Sequence, residues 1–368
     1  MSLIKPSLMD ANLIKMTNFK TLFKITIIIA LLVSKCQANK DWDIFLESEK
    51  GEEHKTQWKK ILKDLEKDNI TLGKFLGEGS YGVVFAGGKV VGNYVVPMAF
   101  KLMRTDSELE CQNLQIAQQM ADAGAKYILK PYYIRAFKFI ALLKDHSIER
   151  VHFCVLGFEL GSFDFFEMEL DESKPLEDNT QLFIETVYKI LKGFKTLNFD
   201  AGYLHGDIKP ENMIIVEDNG YYEPRIIDFD LSFKPTTDYQ TNRRIPPWMV
   251  YTDGYRPPEI QRFCQVHNNQ LQYPHYFSLY NFDQFFREDA FALGQTLKKI
   301  LYNNKGLVLL DDPIIKFISD TIIRWMIEPN IIRRWSTLQA FREFKDLLQK
   351  YGFKIRSNPN EKKPEIPL

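Results

Sequence analysis

The sequence predicts an α+β fold in two parts, a small β-rich part followed by a larger helical one. Three observations predict it. Residues 70–104 form short alternating apolar runs broken by glycine. Leu182, Val187, Ile190, Leu191 and Phe194 fall on one face of a helix over 181–201, and helical patterns recur at 284–302, 312–327 and 336–350. A chain of 368 residues is long enough for two lobes, each with its own core.

Taken in order, the elements begin with Lys15, Lys20 and Lys24, which precede an apolar run over 25–33. Cys36-Gln37-Ala38 then offers small residues at signal-peptidase spacing. The run is shorter than the about 20 residues that span a bilayer. Residues 1–38 are therefore expected to be a cleaved secretory signal with a mature start at Asn39, which implies the secretory pathway or secretion; a membrane-targeting segment, or a cytoplasmic location if the signal is not used, is the alternative. Residues 39–54 are polar and acidic and read as a linker. Trp58, Ile61, Leu62 and Leu65 mark an amphipathic helix over 55–67. In the β-rich stretch, Gly87-Gly88 and Gly92-Asn93 read as hairpin turns. A helix is expected over 107–123, strands over 127–139 and 150–158, and a loop over 231–258. The tail 351–368, rich in Pro, Lys and Asn from Arg356 onward, is expected to be disordered.

Acidic and basic residues balance at 48 each, so no global field points to nucleic acid or an anionic membrane. A membrane contact is expected only through the N-terminal segment, if that is retained. Cys36, Cys111, Cys154 and Cys264 are too few and scattered for a disulfide framework or a metal site. Cys111 and Cys154 read as buried apolar residues. His54, His146, His152, His267 and His275 show no ligand spacing.

The chemistry concentrates in His205-Gly-Asp-Ile-Lys-Pro-Glu-Asn212, followed by apolar 213–216 and then Asp228-Phe229-Asp230. One Asp can orient a hydroxyl, Asn and a second Asp can hold divalent cations, and Lys can neutralise a moving phosphoryl group. Upstream, Leu76-Gly77-Glu78-Gly79-Ser80-Tyr81-Gly82 contains GxGxxG. Glycines let backbone N–H groups approach phosphate oxygens. Because 83–85 continues as strand, the loop reads as a hairpin over nucleotide and not as a dinucleotide site. Lys101 follows on a strand and needs a carboxylate to fix it. Helical phase favours Glu110 over Glu108, since Leu114 then faces the core one turn later.

Together these motifs resemble the eukaryotic protein kinase superfamily over about residues 71–350. The resemblance implies a bilobal fold, with an N-lobe over 71–156 and a C-lobe over 161–350. It also implies ATP and Mg2+ as cofactors and a protein substrate presenting serine or threonine. Lysine at 209 is the serine/threonine form of the loop. By resemblance, Gly77, Gly79 and Gly82 cover the phosphates, and Lys101 contacts them and pairs with Glu110. Asp207 is the catalytic Asp, Lys209 supports the γ-phosphate, and Asn212 and Asp228 bind metal. Leu156 is the gatekeeper, Gly157 and Glu159 offer backbone to adenine, and Val84, Ala99 and Ile214 sandwich its ring. The segment 252–259, Thr-Asp-Gly-Tyr-Arg-Pro-Pro-Glu, resembles the substrate-positioning segment. Glu259 is expected to pair with Arg334, or with its neighbour Arg333. Asp289 and Gly294 match the helix that anchors the catalytic loop, and His205 is expected to pack on Phe229.

The chain departs from the family at three places. Gly206 stands where many kinases carry the arginine that reads a phosphorylated activation loop, which implies no obligatory loop phosphorylation. Asp230 replaces a glycine, and Pro257 replaces an alanine. Gly206 and Asp230 also fit small-molecule phosphotransferases of the aminoglycoside and choline kinase type. Lys209-Pro-Glu, the glycine loop and the segment 252–259 argue against that rival. A catalytically inactive scaffold is a further alternative, opposed by the presence of Lys101, Asp207 and Asp228. The sequence sets no oligomeric state.

Overall fold

A computed structural model describes residues 45–46, 54–79, 82–105, 116–142, 148–164, 170, 172–218, 221–235, 251–266 and 282–356. The chain divides into two compact units. One is drawn from Met1–Cys111 and Tyr133–Leu160, the other from Gln112–Tyr132 and Gly161–Leu368. The expected signal segment, Ser80, Tyr81, Glu108, Glu110 and Cys111 lie outside the described residues. Among the described residues no helix is long and apolar enough to cross a membrane.

The first unit is a five-stranded antiparallel sheet in the order β1-β2-β3-β5-β4. Its strands are β1 (Ile70–Gly79), β2 (Gly82–Val91), β3 (Tyr94–Thr105), β4 (Tyr133–Leu142) and β5 (Ile148–Glu159). The two-residue period of a strand sends side chains to alternate faces. Val83, Phe85, Phe100 and Leu102 are buried on one face, at no more than 2% exposure. Helix α1 (Lys55–Lys67) buries Trp58, Ile61 and Leu65. Trp58 lies edge-on to Phe153 of β5 at 4.5 Å. Phe45 bridges Trp58 and Phe85, with ring centroids at 5.6 and 5.9 Å. The stretch read as a linker thus contributes Phe45, Leu46 and His54 to the core.

Two further expectations are corrected in this unit. Gly92 does turn the chain between β2 and β3, with φ +60. Gly87-Gly88 instead lies inside β2. A Cβ at Gly87 would stand 2.5 Å from the Thr71 carbonyl oxygen and 3.0 Å from the Phe100 ring, so this glycine serves close packing. Cys154, on β5, is buried as expected but is disulfide-bonded.

The second unit is mainly helical. It contains α2 (Ile116–Asp122), α3 (Leu176–Lys195), α4 (Pro258–Val266), α5 (Phe282–Asn303), α6 (Pro313–Phe317), α7 (Arg324–Met326) and α8 (Thr337–Lys350). A π-helical turn, Thr196–Asp200, extends α3, and another, Ile318–Ile323, joins α6 to α7. A small sheet carries β6 (Phe163–Asp164), β7 (Met213–Asp218) and β8 (Tyr221–Ile226) in that order. One continuous core runs from Phe183, Val187, Ile190 and Phe194 of α3 to Leu293 and Leu297 of α5 and Phe344 of α8. Buried apolar area of this kind contributes most of the drive to fold.

Here too the sequence reading needs adjustment. Helix α4 begins where the span read as loop ends, in a stretch to which the sequence reading gave no element. The strand expected from 127 begins only at Tyr133; Tyr127 has φ +57, and Ile128 makes a lone bridge to Ile226. Arg356, read as the start of a disordered tail, is held by Glu185. Its Nε donates to both carboxylate oxygens, at 2.8 and 3.0 Å.

Candidate active site

In the first unit, register places three of the expected nucleotide residues side by side. Val84 of β2 and Leu156 of β5 are both directly opposite Lys101 of β3. Directly opposed residues share a face, so Val84, Lys101 and Leu156 project together, away from the Phe85 and Phe100 core. Ala86 and Ala99 oppose each other next along the same face. Two methyl groups there leave a flat apolar shelf. Gly157 is tightly confined, since a Cβ would come within 2.9 Å of both Met98 and Phe100. Glu159 ends the same strand. Leu76, Gly77, Glu78 and Gly79 finish β1, which pairs across the hairpin to Gly82. Nothing lies within 4 Å of a Cβ built on Gly77.

In the second unit, the catalytic-loop residues converge. A short 3-10 turn, Pro210–Asn212, follows Lys209 and delivers Asn212 to the start of β7. Asn212 Nδ2 donates to the Asp207 backbone oxygen at 2.8 Å and to its carboxylate Oδ2 at 3.0 Å. Lys209 Nζ lies 2.9 Å from that same Oδ2. The other oxygen, Oδ1, accepts from the Thr252 hydroxyl at 2.7 Å and from the Thr252 backbone N–H at 3.1 Å. Lys209 also donates to the Thr252 hydroxyl, at 3.0 Å. A carboxylate has about four lone-pair positions, and here four donors meet them.

Asp228 adjoins Asn212 through the backbone, because the Ile227 N–H donates to the Asn212 carbonyl at 3.0 Å. Asp228 has φ +63, whereas Asp230 is not among the left-handed residues. Asp230 therefore needs no glycine-like backbone in this conformation. With its amide nitrogen turned to Asp207, Asn212 keeps its side-chain oxygen for another partner. Together with the Asp228 carboxylate it offers the oxygen ligands that magnesium takes, so the residues present fit such an ion. Among the described residues no group of three His, Cys, Asp or Glu could hold a metal by itself. Ile214 packs against Gly161, where a Cβ would lie 2.8 Å from its Cδ1.

The loop hangs from Asp289 of α5, which is wholly buried. Its Oδ2 accepts from the His205 N–H at 2.9 Å and from Asn198 Nδ2 at 2.8 Å. Its Oδ1 accepts from the Gly206 N–H at 3.3 Å and from the Tyr251 hydroxyl at 2.9 Å. Burial pushes the Asp289 carboxyl up, while the nearby His205 and the N–H donors of His205, Asn198 and Gly206 pull against it. The His205 ring lies 5.2 Å from Phe229, as expected. Glu259 pairs with Arg334 and not Arg333, through two bonds of 2.6 and 2.9 Å. Gly294 allows close approach of Met326 and Ile327, each within 2.8 Å of a Cβ built there. Sequence reasoning missed Tyr251 and Asn198. Neither sits in a recognisable motif, and both reach Asp289 from distant parts of the chain.

The family model described as "Protein kinase domain" matches residues 70–274, more than half of the chain, and the chain belongs to that family. Its two units are the N-lobe and C-lobe of the bilobal protein-kinase fold. Among solved structures it is similar to the ROP18 kinase domain in complex with AMP-PNP and sucrose, at 16% identity and a TM-score of 0.47, covering 77% of this chain and 83% of that one. None of the curated proteins compared matches the chain.

Proposed function

We propose that this chain is a serine/threonine protein kinase that moves the γ-phosphoryl group of ATP to a protein hydroxyl. The observation that carries this reading is the network of Asp207, Lys209, Asn212 and Thr252. Asn212 fixes the Asp207 carboxylate from the backbone side. Lys209 and the Thr252 hydroxyl occupy its open side. An incoming serine or threonine hydroxyl must displace one of those donors. Lys209 is the one with a stronger alternative, since the γ-phosphate would draw its ammonium away from Oδ2. That exchange frees a lone pair on Asp207 for the substrate O–H.

Asp207 then orients the hydroxyl in line and takes its proton late. The new bond joins the substrate oxygen to phosphorus as the bond to the ADP oxygen breaks. Charge stabilisation and positioning supply most of the acceleration. Bound at Asn212 and Asp228, magnesium would neutralise phosphate charge. In the N-lobe, Lys101 and the glycine hairpin would hold the phosphates, and the Ala86–Ala99 shelf with Val84 would take the adenine face. The aliphatic Thr252 hydroxyl already sits at hydrogen-bonding distance from Asp207, which supports a short hydroxyl-bearing side chain as acceptor. Incubating the full chain with labelled ATP, magnesium and an array of serine, threonine and tyrosine peptides, beside a panel of amino alcohols, tests this. Labelled serine or threonine peptides are expected; labelled amino alcohol in their place would overturn it.

The chain is also proposed to enter the secretory pathway. The charged and apolar pattern of residues 1–38 supports this, and so does the Cys154 disulfide, since such bonds persist in oxidising compartments. N-terminal sequencing of the protein from its own cells is expected to read from Asn39. An intact Met1 in a cytosolic fraction would contradict export.

A further inference from the structure

Tyr251 is almost wholly buried and left-handed, with φ +62. A non-glycine residue in that region costs about 1–2 kcal/mol, so glycine would be the residue of least strain if only the backbone mattered. The side chain must therefore contribute something at this position. Tyr251 is bonded at one end to the catalytic loop and at the other to the buried carboxylate from which that loop hangs. The backbone N–H donates to the Gly206 carbonyl at 2.7 Å. The phenol donates to Asp289 Oδ1 at 2.9 Å, beside the Gly206 N–H on the same oxygen. The Tyr251 carbonyl in turn accepts from Arg256 at 3.0 Å. The next residue, Thr252, is bonded to Asp207. Two consecutive residues thus grip the two consecutive loop residues Gly206 and Asp207.

Gly206 fits the same arrangement. It has φ +79, and a Cβ there would stand 2.8 Å from the Leu231 carbonyl oxygen. A side chain at 206 would be strained by this backbone and would press on Leu231, so the local geometry suits glycine over a phosphate-reading arginine.

We infer that Tyr251 is a positioning residue that holds the catalytic loop in its working geometry without any phosphorylated residue. The inference rests on the phosphotransferase reading above. It accounts for two departures, glycine where a phosphate-reading arginine is common and tyrosine where the backbone is left-handed, by one contact network. Tyr251 touches no substrate; it acts through Asp289, Gly206 and, by its neighbour, Asp207.

The experiment compares the full wild-type chain, treated or not with a broad phosphatase that is then removed, with Tyr251→Phe and Tyr251→Gly. It reads kcat, the KM for ATP, and amide hydrogen exchange over residues 204–207. A bond to a buried carboxylate is strong enough that losing it should lower kcat about tenfold or more. Tyr251→Phe keeps the ring and loses only that bond. It is expected to show this fall, with the KM for ATP changed less than about threefold, and faster exchange at His205 and Gly206. Tyr251→Gly should fall at least as far, although glycine suits the backbone. Wild-type activity should survive the phosphatase. Wild-type kcat and exchange in Tyr251→Phe would overturn the inference, as would loss of wild-type activity on dephosphorylation. If the wild-type chain transfers phosphate to no acceptor, the functional reading fails separately. The exchange measurement then decides alone, and unchanged exchange in Tyr251→Phe overturns the inference.

Discussion

Arg334 grips Glu259 with two parallel bonds, and neither side chain has appreciable access to water. Arg334 does more than balance that charge. Its remaining donors reach the carbonyls of Glu328, Arg287 and Pro329. It thereby ties the start of α4 to α5 and to the turn before α8.

Breaking a buried pair by removing one partner typically costs about 3–5 kcal/mol. Arg334→Ala strands a carboxylate and three carbonyls, whereas Glu259→Ala leaves the guanidinium with three carbonyl partners. Arg334→Ala is therefore expected to destabilise the second unit more than Glu259→Ala. Denaturant unfolding of both variants checks the order, and the reverse order would contradict it.

Gly157 should not tolerate a methyl group. A Cβ there would meet Met98 and Phe100 at 2.9 Å and Tyr133 at 3.0 Å. Overpacking of this kind costs about 1–3 kcal/mol. Gly157→Ala is expected to lower thermal stability by that amount, and to weaken ATP binding if the strand shifts. Gly77→Ala, which meets nothing within 4 Å, is the contrasting control for packing, and should leave stability nearly unchanged.

An acid-sensitive tie fixes the end of α1 to β4. Asp68 accepts from the Tyr133 hydroxyl and from Arg135. Burial acts to raise the Asp68 carboxyl, but those two donors prevail and hold it below its usual value; burial and the same carboxylate push Tyr133 well above its own. A carboxyl depressed on folding contributes stability above its unfolded pKa, about 3.9, and loses it as pH falls through the lower folded value. Asp68→Asn should thus lower the melting temperature at pH 7, with the difference from wild type shrinking toward pH 3. A pH-independent difference would contradict this account.

The sequence made some of this legible and hid the rest, for physical reasons. Amphipathic periods placed α1 and α8, which bury one face each, and apolar helical runs placed α3 and α5, which are buried on most sides. The partnership of Glu259 with Arg334, and the role of Asp289, followed from a motif order that carries its own geometry. The contribution of Phe45 and Leu46 to the core was masked by the acidic residues around them. Gly87-Gly88 carried the composition of a turn, yet close approach of Phe100 and Thr71 is what requires glycine at 87, and that contact is tertiary. Tyr251 was the least legible. Its left-handed backbone and its bond to Asp289, 38 residues along the chain, leave no local pattern.

The central claim is that Asp207, held by Asn212, Lys209 and Thr252, receives the substrate proton during phosphoryl transfer. The most direct test is single-turnover transfer of labelled γ-phosphate to a serine peptide by the wild-type chain and by Asp207→Asn, with nucleotide affinity measured alongside. The account predicts transfer slowed by about three orders of magnitude or more in the variant, with ATP affinity within a few-fold of wild type. Transfer at the wild-type rate in Asp207→Asn would contradict it.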